Sequence, residues 1–311
     1  METLAVVMEA PKTIRLSRLD LVEPGETDVV VDIDWSGIST GTERLLWTGR
    51  MPQFPGMGYP LVPGYESVGR VTAVGPKATL PLGTPVFVPG ARCFGDVRGL
   101  FGGAASRLVL PETRAHVIPN SLGREAVLLA LAATAFHTVV SGSFPELIIG
   151  HGVLGRLIAR ITMALGHSAP TVWERNPSRQ TGAKGYRVTT EEDDKRKDYH
   201  TICDVSGDST VLDRLIARLA PQGEIVLGGF YESPLAFAFP PAFMREARIR
   251  IAAEWKPGDL TRTIGLLESG KLSLDGLITH ERGADGALDA YATAFDDDTC
   301  LKMILDWRGR A

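Results

Sequence analysis

Cysteine is scarce in this sequence, and its scarcity excludes two classes of protein. The 311 residues contain three cysteines, Cys93, Cys203 and Cys300, which are widely separated and form no C-x-x-C pair. They can build neither the disulfide framework of a small secreted protein nor a four-cysteine zinc site. We therefore expect a protein of the reducing cytoplasm.

The sequence also lacks an excess of charge of one sign and any long apolar run. Its 33 basic and 37 acidic residues give a formal net charge of −4, which provides no broad basic surface for nucleic acid. Proline and charged residues interrupt every apolar run before about 18 residues, the length that a membrane-spanning helix needs. The opening stretch METLAVVMEAPKTIRL has no cationic segment ahead of an apolar core. We predict no nucleic-acid partner, no signal peptide and no membrane span.

The pattern of apolar residues changes near residue 122. Residues 1–122 are rich in glycine and proline and contain short β-branched runs such as TDVVVDIDWSG, which is typical of a β-rich domain. Over residues 123–254, apolar strands alternate with helical patterns, which predicts a parallel, doubly wound sheet with helices on both faces. Residues 255–311 contain two predicted helices around LDGLITHE. The predicted fold class is α/β with two domains.

A glycine motif follows an apolar strand and precedes a helix in the stretch LIIGHGVLGR. Its G-x-G-x-x-G spacing is typical of a dinucleotide site: the glycines allow a tight turn, close approach of a pyrophosphate, and close packing of helix on strand. Weak as an isolated pattern, the motif here has the strand and helix that it requires. The predicted cofactor-binding residues of this turn are Gly150, His151, Gly152, Val153, Leu154 and Gly155.

An acidic residue ends the next predicted strand. Glu174 in VWERN follows at about the 20-residue offset expected of a carboxylate that binds the adenosine ribose. A carboxylate there repels the 2′-phosphate of NADP and favours NAD, although the adjacent Arg175 could receive that phosphate. We predict NAD as the cofactor, with NADP as the less favoured alternative.

Several polar residues and glycines end the later strands, at the edge where a cofactor would bind. Each of them is equally well explained as part of a turn that closes a strand. These further candidates are Asp204, Ser206, Gly207, Gly228 and Gly229.

The order of these motifs resembles the medium-chain dehydrogenase/reductase family over essentially the whole chain. SGISTGTE and VPGYESVGRV stand in the β-rich part, a long helix and the Rossmann unit follow, and a return segment closes the chain. The resemblance implies a GroES-like substrate and catalytic domain over residues 1–122 and a Rossmann NAD-binding domain over residues 123–254. It also implies that residues 255–311 complete the first domain, and by family analogy a homodimer is expected.

Zinc-dependent members of this family hold their catalytic zinc with three side chains. The resemblance places those positions on Ser39, Tyr65 and, by a weaker match, Ala130, none of which offers a thiolate, imidazole or carboxylate. The cysteine-rich lobe that carries a structural zinc in the family is replaced by PGARCFGDVRGLFGGAASRL. We therefore predict a metal-free branch of the family.

A closer resemblance lies in residues 36–66, together with LFGGAASRLV and ALAATAFH. These stretches are similar to the branch of the family that oxidises the 3-(1-hydroxyethyl) group of a bacteriochlorophyllide to 3-acetyl with NAD. The resemblance implies a tetrapyrrole substrate. Since the reacting carbon is bonded to a conjugated ring, charge that develops as hydride leaves can spread into the ring, and a positioned base with hydrogen bonds could suffice without zinc.

Four residues at the former ligand positions are catalytic candidates: Tyr65, Ser39, Thr40 and Glu66. Tyr65 is either a base, which would need a neighbouring positive charge to lower its pKa, or a side chain that shapes the pocket. Ser39 and Thr40 could relay a proton or orient the hydroxyl, and Glu66 is expected to be an orienting ion-pair partner. Thr42 is predicted as the N-cap of a helix that begins near Glu43.

The stretch GRMPQFPGMGYP could form an apolar wall for a flat ring, with arginines to pair with a propionate. An ordinary surface turn with solvated arginines explains the same stretch. The predicted substrate-contacting residues are Arg44, Arg50, Met51, Phe54, Met57 and Tyr59.

Two other functions remain open from the sequence. The first is a metal-free quinone or enone reductase of the same family, which would use NADPH. The second is a non-catalytic dinucleotide-binding protein that senses redox state. Cofactor preference discriminates the first of these, and absence of hydride exchange with any alcohol would favour the second.

Overall fold

The computed structural model describes residues 1–310, which form seventeen strands and seven α-helices. The chain divides into two compact units. Unit 1 comprises Met1–Ala130 together with the chain from Leu277 onward, and unit 2 comprises Leu131–Gly276.

The first part of unit 1 is mostly strand. Its elements are β1 (Glu2–Ala10), β2 (Thr13–Asp20), β3 (Asp28–Ile38), α1 (Thr42–Thr48), β4 (Leu61–Val62), β5 (Ser67–Val74), β6 (Pro85–Val88), β7 (Arg98–Gly99), β8 (Arg107–Pro111) and β9 (His116–Val117). One 3-10 segment, Glu112–Arg114, lies between β8 and β9, and a second, Asn120–Leu128, follows β9.

Unit 2 alternates helix and strand. Its elements are α2 (Leu129–Val140, which contains the boundary between the units), β10 (Leu147–Ile149), α3 (Val153–Ala164), β11 (Thr171–Trp173), β12 (Arg187–Thr189), β13 (Tyr199–Asp204), α4 (Leu212–Ile216), β14 (Leu219–Leu227), α5 (Phe239–Met244), β15 (Arg248–Ile251) and α6 (Asp259–Glu268), with a 3-10 turn at Pro177–Arg179. The chain then returns to unit 1 with β16 (His280–Gly283), a 3-10 turn at Ala284–Gly286, α7 (Ala287–Asp296) and β17 (Met303–Asp306).

Unit 1 is built on two sheets. One has four strands in the order β2-β1-β4-β7, and the other has seven, in the order β16-β17-β3-β5-β6-β9 with β8 also paired to β3. Apolar residues of β1, β3 and β8 share one buried core with side chains of α7 and β17. The β-branched runs of the sequence therefore form strands because they fill this core.

Strand register in unit 1 brings three distant parts of the sequence together. β3 runs antiparallel to β5, with Ser36 opposite Ser67, so the turn after β3 lies beside the residues that precede β5. β17 is antiparallel to β3 on its other side, with Met303 opposite Ile38. The residues just after β3, just before β5 and just before β17 therefore meet at one end of the sheet.

Unit 2 contains a six-stranded sheet in which every pair of strands is parallel. Its strand order is β12-β11-β10-β13-β14-β15. The chain therefore runs from β10 outward to β12, returns to β13 on the other side of β10, and continues outward to β15. This order is that of a Rossmann sheet, whose ligands bind at the carboxyl ends of the strands near the switch point. The predicted α/β class and its Rossmann sheet are confirmed.

The boundaries of the two units differ from the predicted ones. Residues 123–130 fall in unit 1 and residues 255–276 in unit 2. The second difference has a physical cause in hydrogen bonds within unit 2: Asp259 contacts His137 at 3.0 Å, and Arg160 donates to the backbone carbonyls of Ser273 and Asp275. The return to the first unit therefore begins at Leu277 rather than at residue 255.

One helical run, Asn120–Val140, is long and apolar enough by length and composition to cross a membrane. Its most apolar window is 61% buried inside the protein, and a core helix passes the same test. Ala132, Ala133 and Ala135 of α2 are fully buried. The run is thus weak evidence for a membrane span.

Candidate functional site

The glycine turn of unit 2 has the geometry of a dinucleotide-binding turn. Gly150 directly follows β10 with φ of 101°, a conformation that glycine adopts readily. A Cβ atom on Gly155 would lie 1.9 Å from the carbonyl oxygen of Gly150, so only glycine lets α3 pack this closely on the turn. A Cβ on Gly152 would meet no atom within 4 Å. The turn thus leaves open space at Gly152, just before the N-terminus of α3, where backbone N–H groups favour a phosphate.

Glu174 is tied directly to this turn. Its Oε2 accepts a hydrogen bond from the His151 backbone N–H at 3.0 Å, and its Oε1 accepts one from the Asn176 N–H at 2.7 Å. The carboxylate is therefore fixed beside the glycine turn, while the neighbouring Arg175 is exposed.

The His151 side chain points into the protein. It is fully buried, its Nδ1 lies 2.6 Å from the carbonyl oxygen of Arg179, and its Nε2 lies 2.7 Å from the Tyr186 hydroxyl. Burial lowers the pKa of His151 to about 4, so the ring is neutral at physiological pH. The ring braces the turn against the segment after β11, and Val153 beside it is also buried. Leu154 is half-buried.

The later candidates of the Rossmann sheet hold the strand ends together. Asp204 is fully buried and accepts hydrogen bonds from the Tyr231 hydroxyl at 2.6 Å and the Ser206 N–H at 3.0 Å. Its backbone carbonyl accepts from the N–H groups of Gly228 and Gly229. Burial raises the pKa of the Asp204 carboxyl. These bonds, and the positive φ of 73° at Gly207, account for these residues as turn formers.

A second polar site lies at the sheet end of unit 1. The hydroxyls of Ser39 and Tyr65, which occupy two of the former zinc-ligand positions, are hydrogen-bonded at 2.8 Å. The Ser39 Oγ also accepts a bond from the Thr42 N–H at 3.3 Å, and the Thr42 hydroxyl lies 3.5 Å from that of Tyr65. The structure thus brings together Ser39 and Tyr65, which the family resemblance had assigned to one site although they are 26 residues apart in the sequence. Thr40 beside them is half-buried.

This cap differs from the predicted one. The residue that precedes α1 is Gly41, and Thr42 is the first residue of the helix instead of its N-cap. The Ser39 side chain takes over the capping contact to the Thr42 N–H. Serine at that place therefore has a structural role in addition to its contact with Tyr65.

The phenol of Tyr65 is protonated in this environment. Burial and the nearby Glu66 carboxylate raise the pKa of Tyr65 well above its ordinary value. A general base would need a shift in the opposite direction. The side chains around Tyr65 therefore favour a neutral hydroxyl that makes hydrogen bonds.

Glu66 was expected to be an ion-pair partner, and it forms a buried ion pair with Lys302, a partner that the sequence did not identify. Lys302 Nζ lies 2.6 and 2.9 Å from the two carboxylate oxygens and also donates to the Ile38 carbonyl at 3.1 Å. The exposed fractions of the two side chains are 0% for Glu66 and 1% for Lys302. Burial raises the pKa of Glu66, and the lysine ammonium opposes that shift. A single lysine inside the apolar run CLKMILDW was the only available signal.

A second buried carboxylate, Glu43, lies on the other side of Ser39. Its Oε1 accepts the Ser39 backbone N–H at 2.9 Å, and its Oε2 accepts the Tyr291 hydroxyl at 2.7 Å. Burial raises the pKa of Glu43 to about 7, against the effect of both hydrogen bonds. Sequence reasoning placed Glu43 near the start of a helix and identified neither its burial nor its contact with Tyr291.

The predicted substrate loop is only partly open to solvent. Arg44, Arg50 and Phe54 are exposed, whereas Met51 is 6% exposed and belongs to the core of unit 1. Met57 and Tyr59 are half-buried against that core, and the Tyr59 hydroxyl donates to the Leu46 carbonyl. Met51 therefore stabilises the loop from inside rather than forming its accessible face.

The donor set does not fit a catalytic zinc. Ser39 and Tyr65 offer hydroxyls that are engaged with each other, and Ala130 offers no donor. Within residues 1–310, no group of three or more histidine, cysteine, aspartate or glutamate side chains could hold a metal ion. The absence of zinc in the working protein stays a prediction.

Comparison with known proteins identifies the family. Residues 25–120 match the alcohol dehydrogenase GroES-like domain. A Rhodobacter capsulatus protein named 2-desacetyl-2-hydroxyethyl bacteriochlorophyllide A dehydrogenase is 56% identical over 311 residues, which cover 99% of both chains. The chain belongs to the bacteriochlorophyllide dehydrogenases of the medium-chain dehydrogenase/reductase family. A Cereibacter sphaeroides protein of the same name is 54% identical, and the match covers 100% of both chains.

Solved structures of alcohol dehydrogenases have the same fold as this chain. An Escherichia coli alcohol dehydrogenase, solved with NADH, superposes with a TM-score of 0.85 at 20% identity and covers 98% of this chain and 99% of its own. Structures of this fold carry either NADH or NADP. At this identity the similarity shows the fold alone, so cofactor choice depends on the residues of this chain.

Proposed function

We propose that this protein oxidises the 3-(1-hydroxyethyl) group of a bacteriochlorophyllide to 3-acetyl, with NAD as hydride acceptor and without catalytic zinc. The observation that carries the proposal is the hydrogen-bonded Ser39–Tyr65 pair at the former zinc-ligand positions, in a chain 56% identical to a dehydrogenase named for this type of substrate. The carbinol loses hydride and a hydroxyl proton, and the products are the ketone, NADH and a proton.

NAD, when bound, supplies the hydride acceptor. The Gly150–Gly155 turn would hold its pyrophosphate, because Gly152 leaves open space before the N-terminus of α3. Glu174 would accept hydrogen bonds from the ribose hydroxyls. The fixed position of Glu174 and the exposure of Arg175 support NAD over NADP.

Tyr65 would orient the substrate hydroxyl as a neutral phenol. The Thr42 N–H donates to Ser39 Oγ, so the Ser39 hydroxyl hydrogen can be donated to the Tyr65 oxygen. This order leaves the phenolic hydrogen free for the substrate oxygen, where it would stabilise developing negative charge. The proton of the substrate hydroxyl would then leave to solvent or to another acceptor. Substrate contact of the exposed Arg44, Arg50 and Phe54 is part of the same proposal.

The test is incubation of the purified protein with hydroxyethyl-bearing bacteriochlorophyllide and NAD or NADP. We expect a red shift of the long-wavelength absorption band, as the acetyl group enters conjugation, and faster turnover with NAD. For Tyr65→Phe we expect a fall in kcat of about 10² to 10³, the effect of removing an oxyanion hydrogen bond. An unchanged spectrum with wild-type protein would reject the oxidation, and an unchanged kcat in Tyr65→Phe would reject the role of the phenol.

We also propose a homodimer formed through the edge of the Rossmann sheet. β15 is the terminal strand of that sheet, and Ile251 at its end is 76% exposed. Phe243 and Met244 of the preceding helix α5 are 64% and 77% exposed. Sedimentation velocity should give twice the 33.5 kDa mass of one chain, and a single-chain mass at micromolar concentration would reject this assembly. The three buried free cysteines fit the proposed cytoplasmic location.

A further inference from the structure

The buried carboxylate of Glu43 is not used in the proposed oxidation, although it contacts the residue that holds Tyr65. Glu43 is 1% exposed and receives two hydrogen bonds, from the Ser39 N–H at 2.9 Å and from the Tyr291 hydroxyl at 2.7 Å. Both bonds are donated to the carboxylate, which is the arrangement that its ionised form requires. A buried carboxylate without a directly bonded cation is costly to retain.

The contacts of Glu43 fix Ser39 from the backbone side. Ser39 is bound at three points: its N–H by Glu43, and its Oγ by the Thr42 N–H and by the Tyr65 hydroxyl. Tyr291 lies on α7 and is fully buried, so it anchors the carboxylate to the core of unit 1. Movement of Glu43 would therefore be transmitted through the Ser39 turn to the Tyr65 hydroxyl.

We propose that Glu43 is a positioning residue for the Ser39–Tyr65 pair and that protonation of its carboxylate weakens turnover. The proposal rests on the oxidation proposed above. In the ionised state Glu43 accepts from both Ser39 and Tyr291. In the protonated state one oxygen must donate a hydrogen bond, so the two present donors cannot both be accepted in the same way.

The charges around Glu43 place this change near neutral pH. Burial raises the pKa of Glu43 to about 7, and the nearby Glu66 carboxylate acts in the same direction. The Ser39 N–H, the Tyr291 hydroxyl and the Lys302 ammonium lower it. Of these groups, Lys302 is bonded to Glu66 and does not contact Glu43 in a hydrogen bond. The Tyr291 hydroxyl is thus the group whose removal should move the pKa of Glu43 most simply.

The test compares kcat from pH 5.5 to 8.5 in four proteins at saturating NAD: wild type, Glu43→Gln, Tyr291→Phe and Glu26→Gln. Glu26 is a matched control, since it forms an exposed ion pair with Lys77 in the same unit. We expect kcat of wild type to fall below about pH 7. Glu43→Gln should lose this pH dependence and turn over about tenfold more slowly at pH 8, the scale of one lost charge-assisted hydrogen bond.

Tyr291→Phe carries the decisive readout. Removing a hydrogen bond to the ionised carboxylate should raise the pKa of Glu43, so the midpoint of the acid limb should move to higher pH. A role in structure alone would lower kcat at every pH without moving that midpoint. An acid limb that persists in Glu43→Gln, or an unshifted midpoint in Tyr291→Phe, would overturn the proposal.

If the wild-type protein shows no turnover, the proposed oxidation is rejected. The titration of Glu43 can still be measured from the pH dependence of stability. The free energy of unfolding of wild type, relative to Glu43→Gln, should then decrease as pH rises from 5 to 8. This sign follows because the folded protein binds the proton of Glu43 more tightly than the unfolded chain does. A difference independent of pH over that range would overturn the titration as well.

Discussion

Replacing Lys302 with methionine should leave the Glu66 carboxylate as an uncompensated buried charge. Lys302 lies 2.6 and 2.9 Å from the two carboxylate oxygens, and both side chains are at most 1% exposed. Breaking a buried ion pair by removing one partner costs about 3–5 kcal/mol. We expect Lys302→Met to lower the free energy of unfolding by about this amount at pH 8.

The loss should be smaller at acid pH. Burial already raises the pKa of Glu66, and the variant would remove the ammonium that opposes the shift. Glu66 of the variant would therefore bind a proton in the folded state more tightly than in the unfolded chain. A carboxyl of this kind contributes stability at low pH that is lost as pH rises through its folded pKa. Urea unfolding followed by circular dichroism at pH 5 and pH 8 measures the difference.

Two further variants decide whether the ion pair is the cause. Glu66→Gln combined with Lys302→Met should recover most of the lost stability, because a neutral pair of similar volume removes the buried charge. Lys77→Met, which breaks the exposed pair with Glu26, should cost at most about 1 kcal/mol. Equal losses in Lys302→Met and Lys77→Met, or no recovery in the double variant, would refute the reasoning.

Two predictions concern unit 2. Gly155→Ala should destabilise the protein by about 2 kcal/mol or more, because its Cβ would lie 1.9 Å from the Gly150 carbonyl oxygen. Gly152→Ala should change stability by less than about 1 kcal/mol, because its Cβ would meet no protein atom, but it should weaken NAD binding, because that Cβ would enter the space proposed for the pyrophosphate. Thermal unfolding measures the stability of both variants, and NADH fluorescence titration measures their cofactor binding. Similar stabilities of the two variants would contradict the packing argument. Glu174→Gln should raise the KM for NAD about tenfold and reduce the preference for NAD over NADP. An unchanged ratio of kcat/KM for NAD to kcat/KM for NADP in steady-state assays would contradict the role of this carboxylate.

The parts of the fold that could be predicted depend on short-range pattern. The glycine turn needs only a strand, three glycines and a helix in succession, and all of these lie within LIIGHGVLGR. Parallel pairing follows from alternation of strand and helix, because a crossover connection is needed between parallel strands. The Rossmann sheet could therefore be inferred from the sequence pattern without knowledge of tertiary contacts.

The polar cluster of unit 1 could be predicted only in part because its contacts are long-range. Lys302 is 236 residues from Glu66, and Tyr291 is 248 residues from Glu43. Both partners come from the return segment, whose position depends on pairing of β17 with β3. Motif resemblance brought Ser39 and Tyr65 into one hypothesis, but no local pattern could assign buried partners to the two glutamates.

His151 shows the same limit inside a recognised motif. The glycine spacing correctly predicted the turn, yet the spacing does not say which side its intervening side chain faces. In the structure the ring is enclosed by the Arg179 carbonyl and the Tyr186 hydroxyl, both in the segment after β11. Its backbone N–H is bonded to Glu174 instead of being free for a ligand.

The replacement of zinc ligands by hydroxyls changes how negative charge on the substrate oxygen could be stabilised. A zinc ion would supply positive charge to a substrate oxygen and would lower the pKa of the bound hydroxyl. The net effect on the phenol of Tyr65 is the opposite, since burial and Glu66 raise its pKa more than the hydrogen bonds of Ser39 and Thr42 lower it, and Lys302 is bonded to Glu66. Stabilisation of the substrate oxygen would then depend on the direction of the Tyr65 hydroxyl rather than on a local cation. In the proposed arrangement Ser39 sets that direction and Glu43 holds Ser39, so the orientation of the Tyr65 hydroxyl depends on a buried carboxylate as well as on the two residues at former zinc-ligand positions.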